Sequence, residues 1–328
     1  MSGGAVPTTG LVGPPATIAD PNNNPVASHV SGQTAAPQLG ANGLGPLVHM
    51  RVLKPSDLPD HPDLAAHQIP GEQPALSAFL YNVLSEGYTF TTQYWPKHFT
   101  VKGRDKPSPP STAKVEVVAH EIQSSELPVH ARGDGTRTVE NWCGRTSIHE
   151  NAAKPGTATW EEFDGGLRQD HSQHEKDYTP LLFDAHEVLA WPVEAQVGPE
   201  GDAWNEARAV IMEMAHNMPG PLGQRVFRVL VVTAKRENEF FVVQIPADSN
   251  DLPGSKYNDK KMTEGIYCSV EYGSLIENGA KVKWQMATAS DAGGALPMWV
   301  QKMGIAGAVT KDVGFFIEWI EKERKGQA

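Results

Sequence analysis

The chain has 328 residues, of which 39% are hydrophobic, and a formal net charge of −11. That apolar share supplies one large core or two small ones. Between residues 151 and 215, thirteen Asp and Glu stand against Lys154, Arg168, Lys176 and Arg208, which opposes nucleic-acid binding and standing attachment to anionic lipid.

No apolar run approaches the ~20 residues that span a bilayer, and the first residues lack the basic start and apolar core of a secretory signal. Cys143 and Cys268 have no metal-ligand spacing and read as reduced thiols of a cytoplasmic protein. Residues 1–50 carry one charged side chain, Asp20, among Gly, Pro, Ala, Ser and Asn. Such a segment buries too little surface to offset chain entropy. The expected organisation is therefore a disordered tail over 1–46 and one domain over 47–328.

Pro74, then Leu76, Phe79, Leu80 and Val83 on one face, predict a helix over 74–87 that ends at Gly87. Residues 102–111 (KGRDKPSPPS) read as a loop. Strand-like runs follow at 113–122 and 139–149, separated by a Gly-Asp-Gly turn at 133–135. Trp160, Phe163 and Leu167 then mark short helical pieces, followed by a polar run over 168–177. Six strands are expected at 184–191, 207–216, 226–235, 239–246, 265–275 and 281–289. The chain closes in one long amphipathic helix, with Leu296, Trp299, Val300, Met303, Val309, Val313, Phe316, Ile317 and Ile320 at helical spacing. Short connections between successive strands imply antiparallel pairing and an α+β class.

Three runs carry a resemblance in order. They are Glu187-Val-Leu-Ala-Trp191, then Pro221-Leu222 with Arg225-Val-Phe227, then Asp291-Ala-Gly-Gly-Ala-Leu-Pro-Met-Trp-Val300. Together they resemble the START domain, the steroidogenic-acute-regulatory-protein-related lipid-transfer fold, and the last run is the most specific. The chain is most similar to an uncharacterised fungal START-like family. Its matching runs are Arg145-Thr-Ser-Ile-His149-Glu150, Thr159-Trp160-Glu161-Glu162-Phe163, Phe183-Asp184-Ala185-His186-Glu187 and Met286-Ala-Thr-Ala-Ser290. The resemblance covers roughly residues 47–319. It implies a helix-grip fold: a curved antiparallel sheet wrapped around the C-terminal helix, enclosing a hydrophobic tunnel.

On a strand over 139–149, Cys143, Arg145, Ser147 and His149 share one face and Trp142, Thr146 and Ile148 the other. Arg145 is a candidate for binding a carboxylate, phosphate or carbonyl if its face lines the tunnel, and an external residue otherwise. Glu213, among Ile211, Met212 and Met214, is a candidate general acid if desolvated and unpaired, or a residue on the sheet's outer side. His-Glu pairs recur at 120–121, 149–150, 174–175 and 186–187; on strands, three of them would put one partner inward to orient a ligand's polar end, or they face solvent or pair with each other. His171 and His174 are three apart, where a metal helix motif of the HExxH kind needs four, so they read as a solvated helix face with no metal and no cofactor. Met212, Met214, Met286, Met298 and Met303, with Trp284, Trp299 and Phe316, supply adaptable apolar surface or ordinary core. With the resemblance, the expected ligand-lining set is Arg145, His149, Glu187, Trp191, Met212, Met214, Tyr267, Trp284, Met286, Trp299, Met303 and Phe316. Gly304 and Gly307 mark a hinge or a kink in the last helix.

No Ser/His/Asp nucleophile pattern, phosphate-cradling loop or dinucleotide fingerprint stands in the sequence. The expected activity is binding, and transfer, of a lipid or other hydrophobic small molecule, with transient membrane contact. One rival is a cavity cyclase or isomerase acting on a polyketide or terpenoid through Glu213 or Arg145. Another is an adaptor for a protein partner.

Overall fold

The computed structural model describes residues 1–2, 39–40, 42–132, 137–218, 223–258, 262–293 and 298–326, and the side chains of all of these except 130 and 298–306. The chain divides into two units, Met1–Gln33 and Thr34–Ala328. The fold below is that of the second. Most of the expected tail lies outside the described residues, as does the turn at 133–135. Leu44 is already buried in the domain's core, just ahead of the expected boundary at 47.

The first helix, α1 (Leu76–Thr89), does not stop at Gly87. It runs through a π-helical segment, Phe90–Tyr94, into α2 (Trp95–His98). A Cβ at Gly87 would stand 3.0 Å from a methyl of Val243. The glycine is there for close approach of helix to sheet, and not as a terminator.

Ten strands among the described residues form one sheet. They are β1 (Thr100–Ser108), β2 (Ser111–Gln123), β3 (Val139–Glu150), β4 (Leu182–Ala190), β5 (Glu194–Val197), β6 (Trp204–Met218), β7 (Gly223–Arg236), β8 (Glu239–Pro246), β9 (Thr263–Ile276) and β10 (Lys281–Asp291). Their order is β1-β2-β3-β10-β9-β8-β7-β6-β4, with β5 pairing the start of β6. Neighbours along this path are antiparallel, and β7 also meets β9 in a short parallel stretch. The class is α+β, as expected.

Two strands depart from the sequence reading. The expected loop at 102–111 contains most of β1, a sheet-edge strand whose residues are nearly all exposed. Its register shifts at Gly103 and Lys106, and Asp105 has φ 52°. Charge, proline and bulges protect an edge from further pairing, and they also erase its periodicity. The four-residue β5 is too short to leave a pattern.

Alternate residues of each strand divide the core between the two faces of the sheet. On one face, Trp142, Cys268, Val270, Ala287, Ala289, Phe241 and Val243 pack beneath α1 and residues 44–64. This outer side is pinned by buried carboxylates. Glu86 accepts hydrogen bonds from the Leu47 and Val48 amides (2.8 and 3.1 Å), and burial pushes its carboxyl up to about 7. Glu140 takes the Met50 amide (2.8 Å), the Trp142 indole N–H (3.0 Å) and His49 Nδ1 (3.1 Å).

The opposite face is covered by α3 (Trp160–Phe163), α4 (His171–Tyr178) and the terminal helix α5 (Met298–Gly326). Val309, Val313, Phe316, Ile317 and Ile320 of α5 join Val115, Val117, Val282, Trp284 and Phe163 in a second cluster. The C-terminal half of α5 is anchored repeatedly. The Gly314 amide donates to Ser108 Oγ (2.8 Å), Glu321 accepts the Gly156 amide (2.7 Å), and Arg324 forks onto Glu162. A Cβ on Gly314 would lie 2.5 Å from the Pro109 carbonyl, whereas one on Gly307 meets nothing within 4 Å. Gly314→Val should therefore lower unfolding free energy by about 2–3 kcal/mol. Gly307→Ala should raise it by about 0.5–1 kcal/mol. Urea unfolding of the two variants checks both signs; equal effects would mean that α5 is not seated on β1 as described.

Candidate functional site

The face beneath α5 settles the parity that the sequence left open. Cys143, Arg145, Ser147 and His149 of β3 point toward α5, and Trp142 points away. Arg145 is 1% exposed. Its guanidinium lies 3.7 Å above the centre of the Trp284 ring, a cation–π contact. It reaches one carboxylate, Glu271 on β9, at 3.5 Å, and Glu271 also accepts the Trp284 indole N–H at 2.7 Å. Two further Arg145 nitrogens, Nε and Nη1, are buried with no hydrogen-bond partner among the described residues.

Around this pair stands a polar group that the sequence reading did not assemble. His171 Nε2 accepts from the Gln244 side-chain amide on β8 at 3.1 Å, and its Nδ1–H donates to the Leu167 carbonyl at 2.6 Å. His171 and Ser172 are buried, so the polar run at 168–177 is not a solvated face. It is amphipathic in a polar sense, with its inner side facing the sheet's own polar groups. Glu175 lies 3.5 Å from His171, and burial raises its carboxyl. Asp312, on the buried stripe of α5, is pushed up to about 7 by burial and by Glu175 and Glu271, against the pull of Arg145. Burial also raises the phenols of Tyr178 and Tyr267. Glu175, Tyr178, Tyr267 and Asp312 each keep some accessible surface all the same. His149 is held neutral, its pKa lowered to about 3 by burial and by Arg145, with Nε2 2.8 Å from Ser147 Oγ.

Of the expected lining residues, Arg145, His149, Trp284, Met286 and Phe316 meet on this face. Met212 and Met214, with Tyr267 packed against them, form a third apolar cluster with Phe227, Val229, Val231 and Val242 on β6, β7 and β8. Glu187 is exposed at the sheet edge, 3.7 Å from Arg208. Trp191 packs in the outer core, and its indole donates to the Asp60 carbonyl, so it does not face α5. The side chains of Trp299 and Met303 lie outside the described residues.

Glu213 also departs from the reading that made it a candidate acid. It is fully buried, but on the outer side, where Arg228 (3.2 Å), Ser255 Oγ (2.6 Å) and the amides of Lys256 (2.8 Å) and Tyr257 (3.2 Å) occupy its oxygens. A carboxylate so engaged fastens a loop and is not free to move a proton. Of the inward partners of the His-Glu pairs, only His149 reaches the α5 face. His120 sits against Tyr94 (3.1 Å) and His186 against the Gly254 carbonyl (2.8 Å). Cys143 and Cys268 are both buried free thiols, on opposite faces of the sheet.

Residues 142–320, more than half of the chain, match the family described as "Protein of unknown function (DUF3074)". A Schizosaccharomyces pombe protein, described as uncharacterized protein C577.11, is 26% identical over 196 residues, covering 58% of this chain and 72% of that one. Among solved structures, human STARD10 aligns with TM-score 0.49 and 12% identity, over 74% of this chain and 82% of that one. Human StAR-related lipid transfer protein 5 aligns with TM-score 0.48 and 11% identity, over 76% and 98%.

Asp312 gives the site a pH signature. Its carboxyl ionises near 3.8 in the unfolded chain and at about 7 in the folded one. Between those values the folded chain holds a proton that the unfolded chain has lost, so stability falls as pH rises through the window. Asn mimics the protonated form at every pH. The stability advantage of Asp312→Asn over the parent should therefore grow by about 3 kcal/mol between pH 4.5 and pH 8. Urea unfolding at both pH values reads the difference; an advantage independent of pH would remove Asp312 from the buried cluster.

Proposed function

The chain belongs to the family described as protein of unknown function DUF3074, and we propose that it binds a hydrophobic small molecule with a polar head between the sheet and α5. The observation that carries this reading is Arg145. A guanidinium 1% exposed with two nitrogens that have no partner among the described residues is costly, because a buried donor left unsatisfied forfeits its solvation. A ligand carboxylate, phosphate or carbonyl seated on Nε and Nη1 would recover that loss. The Trp284 ring and Glu271 fix the guanidinium plane from other directions, so the open donors are oriented in advance.

The surroundings suit the body of such a ligand. Glu175, Tyr178, Tyr267 and Asp312 are screened from bulk water yet retain accessible surface, which supports an enclosed space beside them. Met212, Met214 and Phe227 offer apolar surface on the same face, and thioethers adapt to irregular apolar shapes. Ligand exchange would then require displacement at the end of α5 away from its anchors on Ser108, Gly156 and Glu162.

Delipidated protein incubated with a cellular lipid extract should retain a bound molecule detectable by native mass spectrometry. Arg145→Met, which keeps the apolar stem on Trp284, should reduce retention at least tenfold while leaving the circular dichroism spectrum intact. Empty spectra for the parent protein, or equal retention by a folded Arg145→Met, would end this reading.

A further inference from the structure

A cavity lies on the side of the sheet away from Arg145. It measures about 500 Å³ and is bounded by residues among 50–54, 124–132 and 137–140, and by Ile266 on β9. That size is within the range of small-molecule sites, roughly 300–1,000 Å³. Sheet parity places it with the outer core: Ile266 alternates with Tyr267, which faces the opposite way. It is therefore separate from the Arg145 site.

Its lining combines apolar surface with converging cations. Leu127, Val139 and Ile266 contribute apolar wall, and the cations come in pairs from two separate segments, Arg51 with Lys54 and Arg132 with Arg137. Glu140 is the one carboxylate in the described lining, and its oxygens are taken by His49, the Met50 amide and Trp142. It is 2% exposed, so it offers nothing to the cavity. Arg51 reaches Asp57 at 2.9 Å, but its Nε is buried without a partner. Arg137 meets Asp291 only at 3.4 Å. Arg132 donates to the Leu127 and Ser125 carbonyls, and among the described residues neither it nor Lys54 has a carboxylate partner.

Four cations gathered over apolar walls in a chain of net charge −11 repel one another, and an entering anion relieves that repulsion. We infer that this cavity is a binding site for a small amphipathic anion, one with a carboxylate or phosphate head and an aliphatic or aryl body. The head lies among Arg51, Lys54, Arg132 and Arg137, and the body lies on Leu127, Val139 and Ile266.

Decanoate, decyl phosphate and decyltrimethylammonium separate the terms of this assignment. In isothermal titration, at least one of the two anions should saturate the protein below about 1 mM, at least tenfold more tightly than the cation; which anion binds better identifies the head. The exposed double variant Lys54→Glu/Arg132→Glu, whose fold is checked by its melting temperature, should weaken anion binding at least tenfold. Methyl resonances of Leu127, Val139 and Ile266 should shift during the titration. The inference is overturned if neither anion saturates, if the cation binds equally, or if a folded double variant binds as the parent does. Anion binding that leaves those three methyl groups unmoved would also overturn it.

Discussion

A fully buried guanidinium with too few partners organises the inner half of this protein. Removing a charge of this size from water costs several kcal/mol even after relaxation, and only close, well-directed partners offset it. Arg145 has one aromatic face at 3.7 Å and one carboxylate at 3.5 Å, the latter longer than a good charge-assisted hydrogen bond. The nearby acids adjust around it. Asp312 and Glu175 hold their protons more tightly than exposed carboxyls, and His149 remains neutral. The inner face is thus a set of mutually dependent ionisations.

The outer face solves the same problem differently. Glu86, Glu140 and Glu213 are all nearly or fully buried, yet each accepts backbone amides from an irregular segment: residues 47–48, residue 50, and residues 256–257. A carboxylate collecting N–H groups from a loop is satisfied and holds that loop in one place. These three acids tie the amides of residues 47, 48, 50, 256 and 257 to the sheet and so hold non-repetitive segments against it. The contrast argues for different roles on the two faces. These three acids outside are engaged and structural, whereas Arg145 inside keeps donors in reserve.

Much of this architecture was legible in the sequence because two periodicities dominate it. The 3.6-residue stripe from Val309 to Ile320 gave α5, and period-two runs gave eight of the strands near their observed ends. Edge strand β1 was lost because its protective residues are those that mimic a loop, and β5 because four residues carry no rhythm. Parity assigned Arg145 and Trp142 to opposite faces but could not say which face α5 would cover; that depends on contacts far along the chain. Trp191 was assigned to the wrong face for the same reason, and Glu213 takes the outer-side alternative left open for it, though buried there. Asp312 did leave a signal: it interrupts the apolar stripe between Val309 and Val313, where a carboxylate on a buried face needs a reason. Glu271 left none, since its role depends on the register that puts β9 beside β10.

The ionisation state of Asp312 ties the proposed ligand head to protons. With its carboxyl at about 7, the charge beside Arg145 is set near neutral pH by a single proton. With Asp312 protonated, Glu271 at 3.5 Å is the carboxylate facing Arg145 among the described residues, and an incoming anion would meet two guanidinium nitrogens that have no partner among them. Ionised Asp312 competes for the same cation and repels the anion. An anionic head would therefore hold the proton on Asp312 more firmly and be bound together with it, by the reciprocity that governs any two linked equilibria. A neutral carbonyl head would lack this coupling. Under the proposed function, the carboxyl on α5 would sense the charge of a head group held by Arg145, and the terminal helix would take part in the chemistry of the site as well as cover it.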